Sequence, residues 1–215
     1  AARVRTAPGT PLITWYRPEG RREELSAVTF ATAVAKTAAL LTDEWDLADD
    51  TTVRLDLPLH WQAAVWLAAC DVAGLTVVWD GEAELVVTDD PSAPAGRVLV
   101  STRPFGLPTG APAAMLDHAR DAMGQPDDLL SVPIGGHWVL GTEQWDEAAI
   151  RHHAQDLIRT AGERPLVRGP LTVTTALGCW PLPLLVDGVV LIGADSAAAP
   201  VAEAEHTTGV VPGEP

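Results

Sequence analysis

His152 and Asp156 stand four residues apart, with His153 beside the first. On a helix that spacing brings an imidazole and a carboxylate onto one face, where they could share a metal ion. A third ligand would have to come from elsewhere, and a solvated His–Asp pair is the commoner meaning, so no metal is expected. Gly135-Gly136-His137-Trp138 permits close approach of backbone to a ligand, or a tight turn beside an anchored indole; the turn is the favoured reading. Cys70 and Cys179 are isolated. Neither has a histidine within a helical turn, and no CxxC occurs, so both read as small buried residues in a reduced compartment. Trp15, Trp61, Trp66 and Trp79 build a core, with an apolar ligand groove as the alternative. No GxGxxG, GxSxG, HExxH or complete phosphate-loop pattern is found.

Fourteen basic residues against 29 acidic ones give a formal charge of −15. Such a field repels phosphate backbones and anionic lipid, which argues against nucleic-acid or membrane-surface binding. Lys36 is the only lysine, and the abundance of Ala, Val, Pro and Arg is that of a high-GC bacterium. With 47% hydrophobic and 20% charged residues, the 215-residue chain is globular in composition. His60 to Trp79 is the most apolar run, but Gln62, Asp71 and Gly74 interrupt it. A buried helix followed by a buried strand explains it better than a membrane span. No signal-peptide pattern opens the chain, and a cytoplasmic location is expected.

The elements that would position these residues follow from periodicity. Pro11 to Tyr16 is β-prone and ends at the turn Pro18-Glu19-Gly20. Ser26 caps a helix reaching about Glu44, with Phe30, Val34, Ala38 and Leu41 as its buried stripe. Thr52 to Leu57 alternates as a strand and stops at Pro58. A second helix carries Trp61, Ala64, Val65, Ala68 and Val72 on one face, and Gly74 ends it in a left-handed conformation. Leu75 to Trp79 is a buried strand, and Asp80-Gly81 turns the chain. Glu84 to Thr88 and Arg97 to Thr102 are further strands. Pro104 to Pro112 is loop-like, Ala113 to Met123 a candidate helix, and Asp127 to Gly141 ambiguous. Trp145 to Ala161 reads as a helix, Leu166-Val167 as a short strand, and Ala197 to His206 as a last short helix. By propensity alone Leu171 to Leu177 (LTVTTAL) is a strand. Val186 to Ile192 repeats the glycine-then-strand pattern of Ala73 to Trp79, 114 residues on and followed by Asp195. This echo predicts two related α/β halves.

Glu24 to Phe30 (ELSAVTF) is similar to an early L-[TS]-Y-x-E-L signature, keeping Leu25 and Ser26 but lacking the Tyr and Glu. Cys70 to Trp79 resembles an L-K-A-G-x-x-x-V-P-L segment, keeping Ala73-Gly74 and the apolar strand. Gly169 to Ile192 resembles a later core helix and its exit into a strand. These signatures belong to the N-terminal portion of the AMP-binding superfamily of acyl-CoA synthetases and peptide-synthetase adenylation domains. The chain looks closest to a group of short, stand-alone, uncharacterised proteins from high-GC bacteria. The resemblance implies a phosphate loop ending T-G-x-P-K-G. Its nearest counterpart is Thr109-Gly110-Ala111-Pro112-Ala113, followed by Met115-Leu116-Asp117-His118, with Ala113 where the lysine should stand. Thr109 and Gly110 are the candidate ligand-binding residues of this degenerate loop.

The expected fold class is therefore α/β, with two Rossmann-like sheet-and-helix halves like a truncated N-terminal domain of adenylate-forming enzymes. The expected organisation is a first half at 1–110, a connecting segment at 111–141, a second half at 142–206 and a loose tail at 207–215. In the resembled enzymes the adenine and ribose motifs, a magnesium-binding glutamate and a lysine-bearing C-terminal domain come later. None is found in residues 1–215, so adenylation by this chain alone is not expected, since that step needs a cationic clamp on the phosphate. The expectation is a non-catalytic protein with no cofactor and no catalytic residue, binding a partner protein, a second copy of itself or a small apolar or acyl ligand. The alternative is one part of a split adenylate-forming enzyme completed by another chain.

Overall fold

A computed structural model describes residues 5–17, 19–94, 97–108, 110–129, 135–193 and 196–213. The chain divides into two compact units made of non-contiguous segments. One comprises Ala1–Ala31, Pro58–Ala64 and Ala148–Pro215, the other Thr32–Leu57 and Val65–Glu147. The boundaries expected at 110/111 and 141/142 do not coincide with this division, which follows spatial neighbours instead of chain order.

The first unit is built on β1 (Pro11–Tyr16), β2 (Arg22–Ser26), β10 (Pro165–Arg168), β11 (Val189–Ile192) and β12 (Gly209–Pro212). Among the described residues these form a sheet in the order β12-β10-β11-β1-β2. All pairings are parallel except that of β1 with β2. The central strand β11 is Val-Val-Leu-Ile, buried throughout, as expected for a parallel sheet covered on both faces. Within the segment expected as a tail, Gly209–Pro212 is a paired strand. Val211 is buried in β12, and Gly209 lies so close to Ala161 that a Cβ would come within 2.8 Å of its carbonyl oxygen.

The second unit holds β3 (Thr52–Asp56), β4 (Thr76–Val78), β5 (Leu85–Thr88), β6 (Val98–Leu99), β7 (Leu116–Asp117), β8 (His137–Leu140) and β9 (Glu143–Trp145). Their order is β7-β6-β5-β3-β4-β8-β9, parallel but for the β8–β9 hairpin. Each unit is thus a mostly parallel α/β layer, as the sequence implied.

Helix α1 (Ala27–Ala39) begins at Ser26, whose Oγ accepts from the Thr29 amide at 3.2 Å, and continues as a π-helical turn to Glu44. The stripe Phe30, Val34, Ala38 and Leu41 is buried as expected. Helix α2 (Trp61–Ala73) differs from its one-faced expectation: every residue from Trp61 to Cys70 is buried. Its run of alanines leaves a slim helix that can be surrounded on all sides. Gly74 and Gly188 adopt φ of 74° and 94°, so both echoing joins are real left-handed turns into buried strands. Asp195, the last residue of the echo, lies outside the described residues.

Three expectations are corrected. Ala113 to Met123 is not one helix; β7 is followed by a single turn, α3 (His118–Asp121), because Asp117 stays extended and caps the turn by accepting from the Arg120 amide. The helix expected from Trp145 starts two residues later as α4 (Glu147–Ala161), since Glu143–Trp145 pairs with β8. Leu171 to Leu177 is not a strand but opens α5 (Val173–Cys179). Thr172 and Thr175 form a reciprocal capping box there, and Gly178 lets the helix approach Val167 closely, which together override β-propensity. Helix α6 (Ala198–Ala204) follows β11.

Candidate functional site

In the second unit the parallel register sets Asp56 beside Thr88, Thr88 beside Leu99, and Leu99 beside Asp117. These residues form one row across the carboxyl edge. From β3 the chain crosses to β4 on one side, then returns past β3 to β5 on the other. Open α/β sheets bind ligands outside the carboxyl ends at such a reversal of strand order. The carboxyl edge around β3, β5, β6 and β7 is therefore the candidate site, and it is where the expected phosphate loop falls.

The edge is acidic, and several of its donors are engaged within the chain. Arg54 reaches Asp56 through Nε at 2.9 Å and Nη2 at 3.0 Å, and gives Nη1 to the Gly81 carbonyl. Thr102 Oγ1 donates to Asp89 Oδ2 at 3.4 Å, and burial raises the Asp89 carboxyl above its ordinary pKa. Asp90 Oδ1 accepts from the Ser92 amide and hydroxyl, which hold its pKa down. Ser101 is buried; its hydroxyl donates to the Leu107 carbonyl and accepts from the Arg103 amide. Arg103 Nη1 donates back to the Pro108 carbonyl, so residues 101–108 curl around their own polar groups.

Of the two expected ligand-binding residues, Thr109 lies outside the described residues. Gly110 is exposed, with φ of 79° and open space where a Cβ would stand. The next amide, Ala111 N–H, points at Asp117 Oδ2 at 3.2 Å. The amide that follows Gly110 is thus taken by a carboxylate of the chain itself. Ala113 is exposed and supplies no cation. The single lysine, Lys36, sits on α1 and binds the Gln125 carbonyl at 2.6 Å and Asp127 at 2.8 Å.

Sequence reading did not single out Asp117 and His118 as site residues. His118 is buried beside Trp66, with ring centroids 5.0 Å apart, and Trp45 stacks on Trp66 at 6.5 Å. Thr37 Oγ1 spends its one proton on the Ala33 carbonyl, so at 3.0 Å it accepts from His118 Nε2–H. Burial holds His118 neutral, with its pKa pushed down to about 4. The only local signal was the D-x-x-R spacing of an N-cap.

The glycine pair at 135–136 and the two cysteines take structural positions. Gly135 and Gly136 donate to the carbonyl and the carboxylate of Asp71, docking the turn on the end of α2. A Cβ on Gly136 would meet the Leu75 carbonyl oxygen at 2.7 Å. Cys70 and Cys179 are free, buried thiols whose pKa burial pushes up to about 12. His152 Nε2 stands 3.8 Å from Asp156, which is held at 2.9 Å by Arg159. No cluster able to hold a metal ion occurs among the described residues. No helix among them is long and apolar enough to cross a membrane.

A protein from Mycobacterium tuberculosis, described as a TIGR03089 family protein, is 34% identical over 212 residues, covering 91% of this chain and 84% of that protein. The chain belongs to the TIGR03089 family. No protein-family model matches it. Among solved structures, a long-chain-fatty-acid-CoA ligase from Archaeoglobus fulgidus superposes with a TM-score of 0.71 at 13% identity, over 97% of this chain and 49% of that one. An acyl-CoA synthetase from Brucella canis gives a TM-score of 0.69 at 12% identity, over 95% of this chain and 45% of that one. At these identities the likeness is one of fold. This family member shares the N-terminal fold of acyl-CoA synthetases and spans about half the length of the two solved enzymes.

Proposed function

We propose that this TIGR03089 member is a non-catalytic binding protein on an adenylate-forming scaffold, and that its ligand is a small apolar or acyl compound. The observation that carries the reading is the hydrogen bond from the Ala111 amide to Asp117. Phosphoryl transfer depends on amides and cations aimed at phosphate oxygens. Here an aspartate accepts from the loop, Lys36 is tied to residues 125–127, and Arg54 is spent on Asp56. Adding a phosphate at the Ala111 amide would set it against Asp117, and Ala113 supplies no lysine to offset the repulsion.

The binding half of the reading is supported by the scaffold, since sites are grafted on folds and this fold presents a carboxyl edge at a strand-order reversal. Native mass spectrometry of protein purified from its own host tests it. The expected result is a chain carrying a co-purifying small apolar or acyl compound. Recovery of the bare chain, or of a complex with a second polypeptide that forms adenylates, would contradict it.

A further inference from the structure

In the first unit, the carboxyl end of β1 and the start of α2 bring together Trp15, Arg17, Glu23, His60 and Trp61. The charged pair is internally settled. Arg17 gives Nε and Nη2 to Glu23 Oε1 at 3.2 and 3.1 Å, and Trp61 Nε1–H donates to Glu23 Oε2 at 3.3 Å. The Arg17 guanidinium also lies over the Trp15 ring, 4.8 Å from its centroid.

His60 is fixed by its place before α2. Its Nδ1 accepts from the Gln62 amide at 3.0 Å, so in the neutral ring the proton must sit on Nε2. Burial and the Arg17 charge push its pKa down to about 3, so the ring is neutral at physiological pH. His60 is 1% exposed, and its Nε2 meets no hydrogen-bond partner. The Trp15 indole is 7% exposed, and its Nε1–H meets none either. The two rings touch edge to face, with centroids 4.1 Å apart. Buried donors are almost always paired, and among the buried side-chain atoms without a partner these two donors sit on rings in direct contact. The N-terminal end of the 13-residue α2 adds its partial positive charge there.

We propose that Trp15 Nε1–H and His60 Nε2–H form a binding site for the neutral carbonyl oxygen of a small acyl compound. A carbonyl oxygen has two lone pairs for two donors and no proton of its own to place. An anion fits worse. Both donors are neutral, Arg17 is committed to Glu23, and a carboxylate or phosphate would be buried beside the Glu23 charge. The assignment rests on the binding function proposed above and gives it a polar anchor in the first unit instead of at the carboxyl edge of the second unit's sheet.

Indole N–H resonances of the ¹⁵N-labelled full chain, titrated with hexanamide, test this directly. The expected result is a saturable shift of the Trp15 resonance, with affinity falling at least tenfold in Trp15→Phe and in His60→Ser, which keeps an oxygen to cap α2. Trp145→Phe, in the other unit, should leave the affinity unchanged. Retention of the remaining indole resonances shows that each variant is folded. Tighter binding of hexanoate than of hexanamide would overturn the neutral-carbonyl assignment. A saturable shift confined to other tryptophans would overturn the site while leaving the binding function standing. No saturable shift at all, with a co-purified ligand still seen by mass spectrometry, would overturn the carbonyl site alone. No shift and no co-purified ligand would overturn both.

Discussion

Glu205 joins three side-chain donors in the first unit. Its carboxylate accepts from Tyr16 Oη at 2.7 Å, Arg22 Nε at 2.6 Å and Arg164 Nη2 at 2.7 Å. These bonds outweigh the desolvation that opposes them and bring its pKa down to about 2 from 4.5. The unfolded chain takes up a proton below about pH 4.5 while folded Glu205 does not until about pH 2. Its stabilisation is therefore complete above 4.5 and lost between those values. Glu205→Gln should cost about 3 kcal/mol at pH 7 in urea unfolding, and the difference from the parent should shrink as pH falls towards 2. His60 and His118 act at higher pH. Both stay neutral when folded, to about pH 3 and about pH 4, whereas the unfolded chain protonates them below about 6.5. Each therefore removes about 1.4 kcal/mol per pH unit as pH falls below 6.5. His118→Gln should flatten the stability-versus-pH slope between 6.5 and 4 by about one proton. The two thiols, by contrast, should resist alkylation at pH 8 in the native protein and react on unfolding, as judged by mass.

At the scale of elements, α5 shows what local sequence can and cannot tell. Val173, Thr174 and Thr175 favour a strand by type, yet the Thr172–Thr175 capping box and the buried face Ala176, Leu177 and Cys179 make a helix. Thr172→Ala should cost about 1 kcal/mol in thermal or urea unfolding. Gly136→Ala should cost about 1–3 kcal/mol, because the turn must move off the Leu75 carbonyl. The helices at Phe30–Leu41 and Trp61–Ala73 were legible because their apolar spacing is regular, and Gly74 and Gly188 because only a left-handed turn explains them. The short strands β2, β7, β9 and β12 were not. Arg22-Glu23-Glu24-Leu25-Ser26 carries three charges in five residues and becomes a strand only by pairing with β1. The candidate site was half legible. The loop around Gly110 could be found by its pattern, but the partner of its Ala111 amide, Asp117, is a fact of tertiary structure. The Trp15–His60 pair joins residues 45 positions apart in sequence, beyond any local signal.

The whole molecule combines the N-terminal fold of acyl-CoA synthetases with a formal charge of −15 and an Ala111 amide turned onto Asp117. On the proposed binding reading fold and chemistry separate: the described residues near Gly110 offer a phosphate neither a free amide at Ala111 nor a lysine at Ala113. Isothermal titration of the chain with ATP and Mg²⁺ tests that separation most directly. No heat of binding is expected at micromolar nucleotide, in the parent chain and in Asp117→Asn alike. Saturable binding of ATP at micromolar affinity by the parent chain would contradict it.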